Sequence, residues 1–287
     1  MKTNTFSIVV GDARCNMNCP YCVSKMTCTK APPAGEPINW NRFHTACKVV
    51  EKAANGLISV LMTGKGEPLL FPEQISQYLS AMNGRFPLVD LQTNGVEIMN
   101  LPDSQLHVWR NMGLTLVCIS VAHSDPRISN NIMEGPDGYN FWHAVNKVRD
   151  AGLACRINCT MVHGGVENEA TVDRLITACA VHKVEQLTIR AVAKPNISKS
   201  PKVAKWIAHN QPEWGNYDLY SYMVNDLGAT ELLRLPHGAC VFDYKGNNVC
   251  VGNCLTLTDN PEDIRQIIFF PDGRISYDWQ YPGARIL

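Results

Sequence analysis

Between Phe6 and Val192 the chain alternates short β-rich runs with longer stretches of helical periodicity. The runs read TFSIVVG at 5–11, LISVLMT at 57–63, PLVDLQ at 87–92, LTLVCISV at 114–121, ACRINCTMV at 154–162 and EQLTIRA at 185–191. Strands that pair in parallel need a crossover of a dozen or more residues, usually a helix. Helical candidates fill the intervals near 39–54, 72–82, 102–112, 138–150 and 167–182. The first of them, NWNRFHTACKVVEKAA, starts on an Asn and spaces its apolar residues at near-helical intervals. The alternation predicts an α/β fold built on a parallel sheet. Six units are too few for a closed eight-stranded barrel. The expectation is a partial (βα)6 TIM-like barrel with a C-terminal extension of short strands and turns.

The rhythm stops near Lys194, at the polar, proline-bearing KPNISKSP. We divide the chain into a core, 1–193, and an extension, 194–287, that binds or caps substrate. The extension opens with Trp206, Trp214, Tyr217, Tyr220 and Tyr222 and ends with IIFFPDGRISYDW, where Pro-Asp-Gly between two β-like runs predicts a hairpin. Lys+Arg and Asp+Glu both number 26, so the chain lacks the basic excess of an extended nucleic-acid surface. Its apolar runs are too short to cross a bilayer, and the N-terminus reads as a first strand, not a signal peptide. A cytoplasmic protein is expected. Twelve cysteines without an export signal point to metal or redox chemistry before a disulfide scaffold.

Three of those cysteines, Cys15, Cys19 and Cys22, stand on the loop after the first run, spaced C-x3-C-x2-C in DARCNMNCPYC. Two metal readings compete. Structural zinc wants four closed ligands, and Cys28 supplies a fourth candidate; that reading makes the chain a non-catalytic binding protein. A 4Fe–4S cluster held by three cysteines keeps one iron open for another ligand.

CNMNCPYC, with an aromatic before its third cysteine, closely resembles the signature of the radical S-adenosylmethionine (radical SAM) enzymes. TGKGEPLL (63–70) resembles the family's Gly-Gly-Glu-Pro segment, and LQTNG (91–95) and CISVAH (118–123) its third and fourth strand ends. RINCTMV (156–162) and LTIRAV (187–192) resemble the fifth and sixth strands of the branch with the molybdenum-cofactor cyclase and many peptide-modifying members. Six matches in chain order, each at a strand end, carry more than one motif does.

The resemblance implies that Cys15, Cys19 and Cys22 ligate a 4Fe–4S cluster, and that S-adenosylmethionine chelates its open iron and is cleaved to a 5′-deoxyadenosyl radical that abstracts hydrogen from the substrate. It implies cofactor contacts for Tyr21, Gly64, Gly66, Glu67, Thr93, Asn94, Ser120, Arg156, Asn158 and Val192. Arg156 would pair with the methionine carboxylate, as a guanidinium can do bidentately. Asn158 falls on the same strand face, two residues along. Lys65 departs from the family pattern by standing between the two glycines. An electron donor such as a flavodoxin or ferredoxin is implied as partner.

Cys240, Cys250 and Cys254 form C-x9-C-x3-C around a KGNN turn that would bring Cys240 near Cys254. They are candidate ligands of a second iron–sulfur cluster. Alternatively one of them, Cys240 or Cys254, donates a hydrogen atom, or all are packed thiols. Cys47, Cys118, Cys155, Cys159 and Cys179 fall within helix or strand patterns and read as core. A peptide or peptide-derived side chain is the expected substrate. A nucleotide or small heterocycle, as in the 7-carboxy-7-deazaguanine synthases or nucleotide dehydratases, is the alternative.

Overall fold

A computed structural model of the chain describes residues 2–54, 56–194, 198–235, 238–252 and 263–287. Its elements run β1 (Thr5–Val9), α1 (Val23–Met26), α2 (Trp40–Ala53), β2 (Ser59–Thr63), α3 (Pro72–Met82), β3 (Leu88–Thr93), α4 (Asp103–Asn111) and β4 (Leu116–Val121). There follow α5 (Pro126–Met133), α6 (Phe141–Asp150), β5 (Ala154–Met161), α7 (Glu169–Val181), β6 (Gln186–Ala191), α8 (Pro201–His209) and α9 (Asn216–Ser221). The chain closes with β7 (Thr230–Arg234), β8 (Cys240–Tyr244), β9 (Asn247–Val251), β10 (Ile267–Phe269) and β11 (Ile275–Ser276). All six predicted strands are present. α5 was not expected: it fills the interval after β4 that the sequence left unassigned.

Strands β1 to β6 lie side by side in chain order, each parallel to the next, in a sheet ordered β11-β10-β1-β2-β3-β4-β5-β6-β9-β8-β7. The two ends of the sheet do not meet, so the barrel is partial. The C-terminal strands extend this same sheet at both edges. β10 pairs parallel with β1, Phe6 opposite Ile267, and β9 pairs parallel with β6, Leu187 opposite Val249. Both predicted hairpins form, β8–β9 and β10–β11. In the first, Lys245 and Gly246 both take positive φ, 51° and 79°. That is the primed turn that matches strand twist and favours glycine at its second position.

Strand alternation gives the sheet two unlike faces. One carries Phe6, Ile8, Val60, Met62, Leu91, Val117, Ile119, Ile157 and Ile189 and is buried with residues of the covering helices in the main core. Phe43 of α2 and Tyr78 of α3 meet Phe269 of β10 there, ring centroids 5.2 and 6.3 Å away. Truncating such a buried phenylalanine typically costs about 3–5 kcal/mol, so the last strands anchor the fold. Register puts Ser7, Leu61, Asp90, Gln92, Cys118, Ser120, Arg156, Asn158, Thr188 and Arg190 on the other face, which lines the lumen of the partial barrel.

Candidate active site

The cysteine loop leaves the C-terminal end of β1 and is fixed by polar side chains before any metal is considered. Asn16 Nδ2 donates to Glu97 Oε1 (2.8 Å), and Asn94 Nδ2 donates to Asn16 Oδ1 (2.7 Å). Asn18 donates to the Glu134 carboxylate and accepts from Lys25. The loop therefore hangs from the ends of β3 and α5. Asn16 and Asn18 were passed over in the sequence, although their place between the cysteines is the signal for them: a short amide there can reach neighbouring loops while the thiols stay free.

The three thiols lie within electrostatic reach of one another. Burial, then the Cys22 and Cys15 charges, push Cys19 up to about 12. Burial also raises Cys15, with Glu67 and Cys22 adding to it, while the Met17 N–H and the Asn94 amide oppose the rise. Asn94 Nδ2 stands 3.7 Å from Cys15 Sγ. Cys15 and Cys19 therefore hold their protons until a cation displaces them, as metal binding to thiolates requires. Among the described residues no three His, Cys, Asp or Glu side chains converge on one point for a single metal ion. A closed zinc site with Cys28 asks for four thiols at one centre. A cubane gives each cysteine a separate iron and accommodates a wider spread.

The GKGEP segment after β2 clasps this loop. A Cβ on Gly66 would sit 2.0 Å from the Arg14 carbonyl oxygen, and Glu67 N–H donates to that same oxygen (2.8 Å). Glycine is required there because two backbones touch. A Cβ on Gly64 would lie 3.0 Å from the Gly66 carbonyl oxygen. Glu67 is buried, and its carboxylate accepts from Thr93 Oγ1 (2.6 Å), Leu69 N (2.9 Å) and Asn94 N (2.8 Å). Of the two roles open to it, contact with the cofactor or ordering of the turn, the structure shows the second: the protein's own donors engage both oxygens and lock the end of β2 to the end of β3. Burial raises it to about 7. Lys65 is also buried, donates to Thr27 Oγ1, and is lowered to about 8 by burial.

Tyr21 lies against Trp206 of α8, ring centroids 5.6 Å apart and planes tilted by 36°. Around them Met17, Met26, Val192, Val203 and Ile207 form an apolar cluster that Cys19 and Tyr21 border. The structure thus brings Tyr21 and Val192 to the cysteine loop, with α8 over it. Trp206 was read only as part of an aromatic stretch.

Arg156, expected at the methionine carboxylate, is bound by the protein instead. Its Nη1 lies 2.7 Å from Asp90 Oδ2, and its Nε donates to Gln186. It sits in the N-terminal half of β5, below the strand ends that carry Thr93, Asn94 and the thiols. Ser120 and Asn158 face each other across β4 and β5 on the lumen side, and Asn158 Oδ1 is buried without a hydrogen-bond partner.

The expected C-terminal thiol group does not assemble among the described residues. Cys240 lies opposite Val251 and Cys250 opposite Val241, so the two thiols point to opposite faces of the sheet. Cys240 joins the main core, and Cys250 packs with Ala239 and Val241 on the other side. Cys254 lies outside the described residues. Cys47, Cys118, Cys155, Cys159 and Cys179 are all buried; Cys118 faces the lumen.

The match that decides the family begins at the cysteine loop and runs through α7: the family model described as the Radical SAM superfamily covers residues 12–178. The chain belongs to the radical SAM superfamily. Its cofactors are therefore those of that superfamily, a 4Fe–4S cluster and S-adenosylmethionine, and Cys15, Cys19 and Cys22 are the thiols that fit the cluster. The chain is 30% identical over 108 residues to the 7-carboxy-7-deazaguanine synthase of Hyperthermus butylicus, covering 38% of this chain and 42% of that one. In fold it resembles Streptococcus suis SuiB bound to S-adenosylmethionine, with TM-score 0.59 and 14% identity, over 98% of this chain and 61% of SuiB. SuiB bound to its precursor peptide SuiA gives TM-score 0.57 and 13% identity, over 96% and 59%. This radical SAM chain thus spans less than two thirds of each of these three chains. No helix among its described residues is long and apolar enough to cross a membrane.

Proposed function

We propose that this protein is a radical SAM enzyme that abstracts hydrogen from a peptide or peptide-derived side chain. The observation that carries the chemistry is the cysteine loop, which carries three thiols and is held by Asn16, Asn18, Gly66 and Asn94. When bound, the cluster and S-adenosylmethionine supply a radical derived from the cofactor. Cys15, Cys19 and Cys22 hold the cluster. Asn94 donates toward the Cys15 sulfur, a contact of the kind that tunes a cluster's potential. The apolar cluster under α8 covers the Cys19 and Tyr21 side of the loop, and excluding water on that side limits side reactions. A flavodoxin or ferredoxin serves as electron donor.

The peptide class is supported by the likeness to the SuiB–SuiA complex, which runs over 96% of this chain and so includes the sheet-extending C-terminal strands. A second reading, a small heterocycle, is supported by the 108-residue match to the deazaguanine synthase. Deuterium transfer separates them. The reconstituted enzyme is reduced with S-adenosylmethionine in the presence of a deuterated peptide pool or a deuterated nucleoside and pterin pool. Deuterated 5′-deoxyadenosine from the peptide pool supports the first reading; deuterium from the heterocycle pool alone overturns it.

A further inference from the structure

Lys65 stands between the two glycines of GKGEP, where this chain departs from the Gly-Gly-Glu-Pro pattern, and nothing in the cofactor chemistry employs it. It is only 8% exposed. An ammonium carries three donors, and the acceptor that Lys65 Nζ reaches is Thr27 Oγ1. Among the described residues no carboxylate forms an ion pair with it. The charged groups around it are Cys22, Lys199, Cys28 and Arg274, two thiols and two further cations. Arg274 has its own carboxylate, Asp272 at 2.7 Å, and Lys199 is exposed to water. Lys65 has neither. A buried cation without a counter-ion is costly to keep.

The hydrogen bond to Thr27 fixes where that cation sits. Thr27 is the C-cap of α1, the single helical turn whose N-cap is Cys22, and its N–H donates to the Val23 carbonyl (3.0 Å). At a rise of about 1.5 Å per residue, Cys22 and Thr27 are about 7–8 Å apart along the turn. Cys28 follows directly. The other neighbours come from outside the lumen: Lys199 N–H donates to the Met26 carbonyl (2.8 Å), and Arg274 Nη2 donates to the Lys30 carbonyl (3.1 Å). Lys65 is thus enclosed by the segment after the third cysteine, the approach to α8 and the last hairpin. The anion missing from this arrangement has to arrive at a thiol, and Cys22 is the thiol there that the cluster uses.

We propose that Lys65 is the buried counter-charge of the cluster at Cys22 and sets its reduction potential higher than the three thiolates alone would. The inference rests on the assignment of Cys22 to the cluster. Uptake of one electron from the donor adds one negative charge to the cluster, and a fixed cation stabilises the reduced state more than the oxidised one. Net charge is among the factors that set iron–sulfur potentials. Lys65 acts through the cluster, as a positioning residue, and not on S-adenosylmethionine or substrate.

The test is a redox titration of the reconstituted cluster, followed by electron paramagnetic resonance without S-adenosylmethionine, in the parent, Lys65→Met and Lys65→Arg. Lys65→Met should bind as much iron as the parent and be reduced at a potential lower by about 59 mV or more, which is a tenfold change for a one-electron couple. Lys65→Arg keeps the charge and should stay with the parent. Should Lys65→Met take up no iron, Lys65→Gln, which keeps a donor toward Thr27, is titrated with the same expectation. Thr27→Val removes the hydrogen bond but not the charge and should not reproduce the shift. An unchanged potential in Lys65→Met, equal shifts in Lys65→Met and Lys65→Arg, or the same shift in Thr27→Val overturns the inference. Loss of iron in both neutral variants also overturns it, because Lys65 would then be structural. So does a tenfold or greater loss of S-adenosylmethionine affinity in Lys65→Met, which would make Lys65 a cofactor ligand. Failure of the underlying assignment shows elsewhere, as a Cys22→Ala variant that keeps its full iron.

Discussion

Arg156→Ala separates a cofactor ligand from a structural ion pair. The substitution leaves the Asp90 side chain, 5% exposed, without the guanidinium that now lies 2.7 Å away. Breaking a buried pair from one side typically costs about 3–5 kcal/mol. Arg156 keeps 26% of its side chain exposed, so the lower end applies, about 3 kcal/mol at alkaline pH. Burial holds Asp90 up at about 6 even with the arginine opposing it. A carboxyl raised in the folded state contributes stability that is complete below its unfolded value of about 3.9 and is lost as pH rises through the folded one. Without Arg156 the folded value rises further, so the loss continues to higher pH. The deficit of the variant should therefore grow from about pH 5 to about pH 8. Urea unfolding at both pH values measures it, and adding Asp90→Asn should restore most of the loss in a double-mutant cycle. S-adenosylmethionine affinity should not move. A loss under about 0.5 kcal/mol at both pH values, together with weakened cofactor binding, would refute the structural assignment.

Glu67 is raised to about 7 by burial, so its contribution to stability is complete below about 4.5 and drains as pH rises through 7. The stability advantage of the parent over Glu67→Gln should shrink across that window in urea titrations, and a constant difference would contradict it. Gly66→Ala drives a Cβ to 2.0 Å from the Arg14 carbonyl oxygen. It should cost about 1–3 kcal/mol, as overpacking does, and lower the iron bound after reconstitution, whereas full iron at unchanged stability would show that the two backbones separate freely. Trp206→Ala removes the ring against Tyr21, a pair worth about 0.5–1.5 kcal/mol beyond its area. It should speed loss of the cluster's visible absorption in air, and an unchanged rate would mean that α8 does not shield the loop.

What the sequence makes legible depends on how far apart the cause and the effect lie along the chain. The C-x3-C-x2-C spacing of Cys15, Cys19 and Cys22 is readable because it lies within one loop. The six strands are readable because alternation is local, and both hairpins because Gly246 and Gly273 mark turns that need positive φ. The same alternation turns Arg156 inward but says nothing of its partner, since Asp90 lies 66 residues away and meets it only through the register of β3, β4 and β5. The destinations of β9 and β10, on opposite sides of the six parallel strands, rest on pairings with β6 and β1 that no local pattern records. The register of the β8–β9 hairpin decides that Cys240 and Cys250 part to opposite faces, and a shift of one residue would reverse it.

A cluster held by three cysteines keeps one iron open for another ligand. Anaerobic reconstitution, reduction and addition of S-adenosylmethionine, with 5′-deoxyadenosine measured by mass spectrometry, tests it most directly. The parent and Cys28→Ala should both form 5′-deoxyadenosine, and Cys15→Ala, Cys19→Ala and Cys22→Ala should form none and lose the iron of that site. Stoichiometric zinc with no 5′-deoxyadenosine in the parent, or loss of metal in Cys28→Ala, would contradict the claim.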